Sequence, residues 1–146
     1  MSDQSVRRRR LPLHLPAEGL VFIGGGCGAL ARATIDALNK GHETGGIAHS
    51  TMFVNIVGAF FMAFLVTTWV LRRGQNAVWD RFKLFVGTGF LGAFTTYSTF
   101  ALAMAQGYRQ HLGITLLTGT TVVFAGFLGA IIGAALSRLL YRGGRR

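Results

Sequence analysis

The sequence predicts an all-α integral membrane protein of four short transmembrane helices. Of its 146 residues, 51% are hydrophobic and only 14% are charged, too few charges to cover the surface of a soluble domain. A helix crosses a bilayer with about 20 apolar residues, so four spans would use roughly 80 positions. Four apolar stretches of about this length are present, separated by short polar loops. We therefore expect one membrane domain at residues 19–141, flanked by basic tails at 1–18 and 142–146.

The first span is predicted at about 20–38 and is rich in glycine. Gly24 and Gly28 have the small-xxx-small spacing that lets a second helix backbone approach closely. Arg32 and Asp36 lie four residues apart on one face, near the polar end of the span. A short loop that contains glycines follows this span.

The second span is predicted at about 47–71 and carries one amide, Asn55, within a long apolar stretch. The NH₂ group of an asparagine can donate to an anion, and Thr51 lies one turn earlier on the same face. The alternative is that Asn55 only joins two helices by hydrogen bonding. Composition alone favours this packing role.

The third span, at about 82–104, contains five consecutive hydroxyl side chains at residues 95–99, near the middle of the bilayer. Gly89 and Gly92 precede them, and both glycine and β-branched threonine weaken a helix. The pattern predicts a break between Gly92 and Thr95, where backbone carbonyls become free to bind a cation. The alternative is a continuous helix whose threonines bond their own i−4 carbonyls.

Aromatic and hydroxyl side chains follow the predicted break. Tyr97 and Phe100 are three residues apart on one face, and ring edges can hold a small anion, although such a pair is usually plain packing. The fourth span, at about 112–140, has threonines at 115, 118 and 121, which either line a pathway or pack. Gly129 and Gly133 in this span again predict a close helix contact.

The basic residues predict the orientation in the membrane. Four lie at residues 7–10, four in the loop after the second span and four at the C-terminal end (residues 138, 142, 145 and 146), so twelve share one side. Only Arg32, Lys40 and Arg109 belong to the other side. Since cytoplasmic segments carry the excess of Lys and Arg, both termini are predicted in the cytoplasm, with the cations beside lipid headgroups rather than nucleic acid.

Several classes of function are disfavoured by what the spans lack. No carboxylate lies in mid-membrane, which argues against a small four-span exporter of cationic drugs. No nucleophile–base–acid set is recognisable, so we expect no enzyme, and the histidines and Cys27 lack metal-ligand spacing. A non-conducting assembly protein, in which glycines and hydroxyls serve packing alone, stays as an alternative.

Three stretches resemble the Fluc fluoride channel family, also called CrcB: GGGCGALAR at 24–32, TMFVNIVGAF at 51–60 and GTGFLGAFTTYSTF at 87–100. The resemblance implies a passive fluoride-selective channel of the cell (inner) membrane that lowers cytoplasmic fluoride and so its toxicity. It also implies an antiparallel dimer with two pores and a central structural sodium ion, held by the backbone carbonyls of Gly92 and Thr95. By the same resemblance, Asn55, Tyr97 and Phe100 belong to the fluoride pathway, with Thr118 by a looser match, and Arg32 belongs to its vestibule. Thr99, from the run of hydroxyls, is also assigned to the pathway.

Two features depart from the family pattern. Tyr97 stands where the family usually has phenylalanine. An antiparallel homodimer also requires one sequence to insert in both directions, whereas the loop charges here are divided twelve to three. The second subunit is therefore either the same chain or an oppositely oriented paralogue.

Overall fold

A computed structural model of the chain describes residues 16–72 and 77–143. Apart from one small hairpin, the regular structure in these two segments is helical. The tail residues 1–15 and 144–146 and the loop residues 73–76 lie outside the described residues, and with them the basic residues at 7–10, 73, 145 and 146.

The first half of the described chain consists of two long helices joined by a hairpin. Helix α1 is Ala17–Leu38, strands β1 (Glu43–Thr44) and β2 (Ile47–Ala48) pair antiparallel, and helix α2 is His49–Leu71. The turn between the strands is Gly45–Gly46, with φ of 60° and 79°. Two successive positive φ values suit a tight hairpin turn, and glycine adopts them without steric cost. The sequence had suggested only a loop here.

The second half is a series of helical segments. Helix α3 (Ala77–Phe82), a π-helix (Lys83–Leu91) and the short α4 (Gly92–Phe94) follow one another without a gap. After Thr95 and Thr96, helix α5 is Tyr97–Gly143. His111 has non-helical φ and ψ of −145° and 69°, so α5 bends there into a first arm (97–110) and a second arm (112–143).

Helix contacts define which ends of the helices lie together. Gly24 and then Gly28 of α1 meet Phe85 and then Phe90 of the π-helix, so these two helices run in the same direction. In the same way, Ile56 and Phe60 of α2 meet 129 and 133 of the second α5 arm, which is parallel to α2. The start of α1, the end of α2, the start of α3 and the end of α5 therefore lie at one end of the bundle.

Within the described residues, three helices are long and apolar enough to cross a membrane: Ala17–Leu38, His49–Leu71 and His111–Arg142. They coincide with the first, second and fourth predicted spans, which confirms the prediction of an all-α membrane protein at this level. The predicted third span, 82–104, is instead distributed over the π-helix, α4 and the first arm of α5. Many large apolar side chains on the long helices are exposed on the single chain, as a lipid-facing surface requires.

Candidate functional site

The centre of the site is the interruption between α4 and α5. Thr95 has an extended backbone, with φ −78° and ψ 154°, and its Oγ1 donates to the carbonyl of Leu91 at 3.0 Å. The N–H of Thr95 keeps its helical bond to the Leu91 carbonyl at 3.1 Å, but the N–H of Thr96 does not continue the pattern, so backbone groups around it need other partners. The glycines before this point and the threonines at it are weak helix formers, which favours the interruption at this position.

Asn55 of α2 supplies two of the missing partners. Its Nδ2 donates to the carbonyl oxygen of Thr96 at 2.9 Å, and its Oδ1 accepts from the amide N–H of Thr96 at 2.8 Å. The side-chain amide thus bonds both the backbone N–H and the backbone carbonyl of one residue, 41 positions later in the sequence. One N–H of the Asn55 amide remains without a partner in residues 16–72 and 77–143, because Nδ2 carries two donors.

Thr96 connects the interruption to the start of α5. Its side chain is buried, its Oγ1 accepts from the backbone N–H of Thr99 at 3.2 Å, and it donates to Thr99 Oγ1 at 3.0 Å. A hydroxyl that accepts from an N–H three residues later is an N-terminal cap, so Thr96 starts the new helix. Sequence reasoning did not single out Thr96. The usable signal was a threonine shortly before the helix-favouring run at 101–106.

A cavity of about 290 Å³ lies beside the interruption and is open on one side. Its walls bring together four of the residues predicted for the site, Asn55, Thr95, Tyr97 and Phe100, with Thr96, Val122, Val123 and Gly126. None of these side chains carries a charge. The cavity therefore offers amide and hydroxyl dipoles and aromatic rings within an otherwise apolar surface.

The interruption also changes the surroundings of the two carbonyls predicted to bind a cation. The usual helical partner of the Gly92 carbonyl is the N–H of Thr96, which donates to Asn55 instead. The N–H of Thr99, the usual partner of the Thr95 carbonyl, donates to Thr96 Oγ1. Oxygen ligands of this type suit a hard cation such as Na⁺. Within the described parts of the chain, no three His, Cys, Asp or Glu side chains converge on a metal position.

Three residues predicted for the fluoride pathway or its vestibule lie outside this cavity. Thr99 lines a second, polar cavity of about 210 Å³ with Ser50, Thr51 and residues of the α1–α2 connection. Thr118 is half-buried one turn before Val122 on the second arm of α5. Arg32 is half-buried on α1, one turn after Gly28, and lines neither cavity.

The predicted glycines lie at close helix contacts that hold these elements together. A Cβ atom on Gly24 or Gly28 would meet the carbonyl of Phe85 or Phe90 in the π-helix. A Cβ on Gly133 would meet the carbonyl of Phe60, and one on Gly129 would lie 3.2 Å from the carbonyl of Ile56.

A further glycine contact was not anticipated. A Cβ on Gly58 would overlap the methyl group of Thr95, so this glycine of α2 lets the interruption pack against the helix that carries Asn55. Its signal in the sequence is its position three residues after Asn55, on the same helix face.

The hydroxyls of the fourth predicted span have different roles. Thr115 is buried and donates to the carbonyl of Gly45 at 2.8 Å, which fixes the hairpin to α5. Thr121 donates at 2.8 Å to the carbonyl of Leu117 in its own helix. Neither hydroxyl lines the cavity beside the interruption.

Comparison with known proteins adds a family to this geometry. A family model described as "CrcB-like protein, Camphor Resistance (CrcB)" matches residues 19–134. The chain is 35% identical over 138 residues to "Fluoride-specific ion channel FluC 2" of Leifsonia xyli subsp. xyli, covering 87% of this chain and 94% of that protein. It is 37% identical over 120 residues to "Fluoride-specific ion channel FluC" of Thermosipho melanesiensis, covering 82% and 94%. A third relative, "Fluoride-specific ion channel FluC 1" of Listeria monocytogenes, is 35% identical over 122 residues, covering 78% and 94%.

Proposed function

The chain belongs to the CrcB-like family of fluoride channels, and from that premise we propose that it is a passive, fluoride-selective ion channel. Members of this family are channels rather than enzymes. Passive outward flow of fluoride would lower its cytoplasmic concentration and so its toxicity.

The observation that carries the proposal is the uncharged cavity beside Thr95 and Thr96. Fluoride is small and tightly hydrated, so a pore must replace its water with hydrogen-bond donors and positive dipole ends. The unpaired N–H of Asn55 is such a donor, and the rings of Tyr97 and Phe100 can offer their positive edges. Because no full positive charge lines the cavity, the ion is not held too tightly to leave.

The remaining predicted residues are proposed to extend the pathway on either side of this cavity. Thr99 faces the polar cavity next to the hairpin, and Thr118 lies one turn from the cavity wall at Val122. Arg32 is proposed as a vestibule residue, where its positive charge would raise the local fluoride concentration without lying on the narrow path.

We further propose that the predicted third span, at about 82–104, crosses the membrane as the third of four spans and is interrupted in its middle. The first arm of α5 continues away from the end where α3 begins, and the hairpin contacts both 107 and 115 around the bend at His111. The four-span domain would occupy 19–141, between basic cytoplasmic tails at 1–18 and 142–146.

A structural sodium ion is proposed at the carbonyls of Gly92 and Thr95. The redirected N–H groups of Thr96 and Thr99 leave both oxygens available, which is the donor set a hard cation prefers. A bound Na⁺ would satisfy these oxygens without being transported. Replacing sodium by a large organic cation should then lower fluoride flux, and an unchanged flux would contradict the site.

The open side of the cavity is proposed to be closed by a second subunit. Tyr97 is 83% exposed on the single chain, although it lines the cavity, so another surface must complete the pore wall. That subunit is either the same chain in antiparallel orientation or an oppositely oriented paralogue. Tags on both termini with sidedness mapping separate the two: a near-equal split of orientations supports the homodimer, and one-way insertion supports the paralogue.

The experiment that tests the function is fluoride efflux from liposomes that contain the purified protein. With sodium present, and with a candidate paralogue co-reconstituted if insertion is one-way, fluoride efflux should greatly exceed that of protein-free vesicles. Chloride efflux should stay at the protein-free rate. Fluoride efflux no faster than from bare lipid, with the protein folded and every candidate partner present, would refute the channel.

A further inference from the structure

Both tryptophans of the chain lie at one end of the helix bundle, next to basic side chains. Lys83 Nζ is 3.5 Å from the ring centroid of Trp69, and Arg72 Cζ is 4.5 Å from that of Trp79. These are cation–π distances, so each ring holds its cation at a defined depth along the helix axis. Lysine has three N–H donors and arginine has five, so contact with one ring leaves donors for an additional anionic group.

The end of α5 adds two further cations to the same surface. Thr68 of α2 and Ser137 of α5 are joined by a hydrogen bond of 2.8 Å, which places the last turns of these helices side by side. Arg138 and Arg142 follow on α5 and are exposed. Neither has a carboxylate within ion-pair distance in the portion of the chain that the structure describes.

The balance of charge at this end is strongly positive. We call the surface the basic end, defined by five cations: Arg72, Arg81, Lys83, Arg138 and Arg142. Arg81 has an interaction of its own, and among the described residues the acidic groups at this end of the bundle are Glu18 in the first turn of α1 and Asp80 beside Arg81. Because two carboxylates cannot neutralise five cations, this part of the surface retains a net positive charge that attracts anions.

We propose that the basic end binds the phosphate headgroups of anionic phospholipids. Tryptophan is typical of the membrane–water interface, so the two indoles place the neighbouring cations at headgroup depth. Basic clusters at this depth, between membrane helices, are suited to anionic lipid headgroups. A free phosphate ion would not explain why the cations are coupled to rings that partition into the interface.

The test uses the two tryptophans, the only ones in the chain, as reporters. The protein is reconstituted in symmetric vesicles, in which phosphatidylcholine or phosphatidylglycerol with brominated acyl chains quenches nearby indoles. At equal mole fraction, brominated phosphatidylglycerol should quench more strongly than brominated phosphatidylcholine. Because both leaflets have the same composition, the result does not depend on the direction of insertion or on fluoride conduction.

Matched variants decide whether the preference comes from the basic end. Arg138→Gln with Arg142→Gln should reduce the preference severalfold, because each basic residue near an anionic lipid surface contributes about fivefold in affinity. Arg109→Gln, an exposed change at the opposite end of the bundle, should leave it unchanged. Neither variant breaks a contact made by these side chains in the described structure, so the fold is expected to persist.

Three outcomes would overturn the proposal. One is equal quenching by the two lipids in the unaltered protein, and a second is an equal loss of preference in Arg109→Gln. The third is full competition by inorganic phosphate at matched ionic strength, which would assign the surface to free phosphate instead of lipid.

Discussion

Replacement of Asn55 by alanine tests the centre of the site, because one side chain is proposed to serve both the fold and the ion. The substitution removes the two hydrogen bonds to Thr96 and the remaining N–H that lines the cavity. Loss of the spare N–H should greatly lower fluoride flux and leave the protein able to assemble. The structure adds a cost in stability, since Thr96 is buried and loses two partners.

The magnitudes follow from those three donor and acceptor groups. Interhelical hydrogen bonds in membranes average about 0.6 kcal/mol and reach about 1–2 kcal/mol, so losing two should lower the free energy of unfolding by about 1–4 kcal/mol. A hydrogen bond to a charged partner contributes about 1.5–3 kcal/mol. If the spare N–H of Asn55 stabilises fluoride at the highest free-energy barrier along the pore, its loss should slow flux by about 10- to 150-fold.

Two measurements separate these effects. A fluoride-selective electrode measures the fluoride released from vesicles and so gives the flux. Unfolding in SDS, monitored by tryptophan fluorescence, gives the free energy of unfolding. In its protonated form, which the low-dielectric surroundings favour, Asn55→Asp keeps an acceptor for the Thr96 N–H and an O–H for the Thr96 carbonyl, but has no spare N–H for fluoride, so it should lose flux with a smaller loss of stability. Thr121→Ala is the control, because this hydroxyl bonds only within its own helix.

The reasoning on Asn55 has two separate refutations. Flux within twofold of the unaltered protein in both folded variants would remove the amide from the fluoride path. An unchanged unfolding midpoint in Asn55→Ala would show that its hydrogen bonds to Thr96 do not stabilise the interruption.

Two further predictions test the cavity wall and the helix contacts. Phe100→Ile removes the ring but keeps an apolar side chain, and it should slow fluoride efflux about two- to tenfold. Phe22→Ile, on an exposed face of α1, is the control and should leave efflux unchanged. Equal effects of the two substitutions would show that the Phe100 ring does not belong to the pathway. Gly28→Ala should lower the SDS stability by about 1–3 kcal/mol, because its Cβ meets the backbone carbonyl of Phe90. Gly26→Ala, which faces open space, should be neutral or stabilising, and equal losses in both variants would contradict the close contact.

The membrane character and the positions of the long helices could be predicted from the sequence with simple physics. Apolar side chains must cover about 30 Å of hydrocarbon, so spans appear as long apolar runs whatever their partners are. The predicted first, second and fourth spans agree with α1, α2 and the second arm of α5 within a few residues. Glycine pairs four residues apart could likewise be assigned to helix contacts, because only small residues permit close backbone approach.

The roles of individual polar residues could not be predicted in this way. Asn55 had two open interpretations, and its pairing with Thr96 depends on α2 lying beside a segment 41 residues away. Thr115 and Thr121 have the same residue type and helical spacing, yet one fixes the hairpin and the other bonds its own helix. Hydrogen-bond partners from distant segments leave no local pattern.

The sequence by itself determined that this chain folds in a lipid bilayer and which long helices cross it, because transfer of apolar side chains into lipid depends on local composition. It also indicated the weak point in the helix near Gly92 and Thr95, because helix propensity is a local property as well. Only the tertiary structure decided what occupies that weak point: Asn55 pairs with Thr96, and Gly58 makes room for Thr95. The reason is physical, since an unpaired backbone group in a low-dielectric interior takes whichever partner the packed helices bring to it.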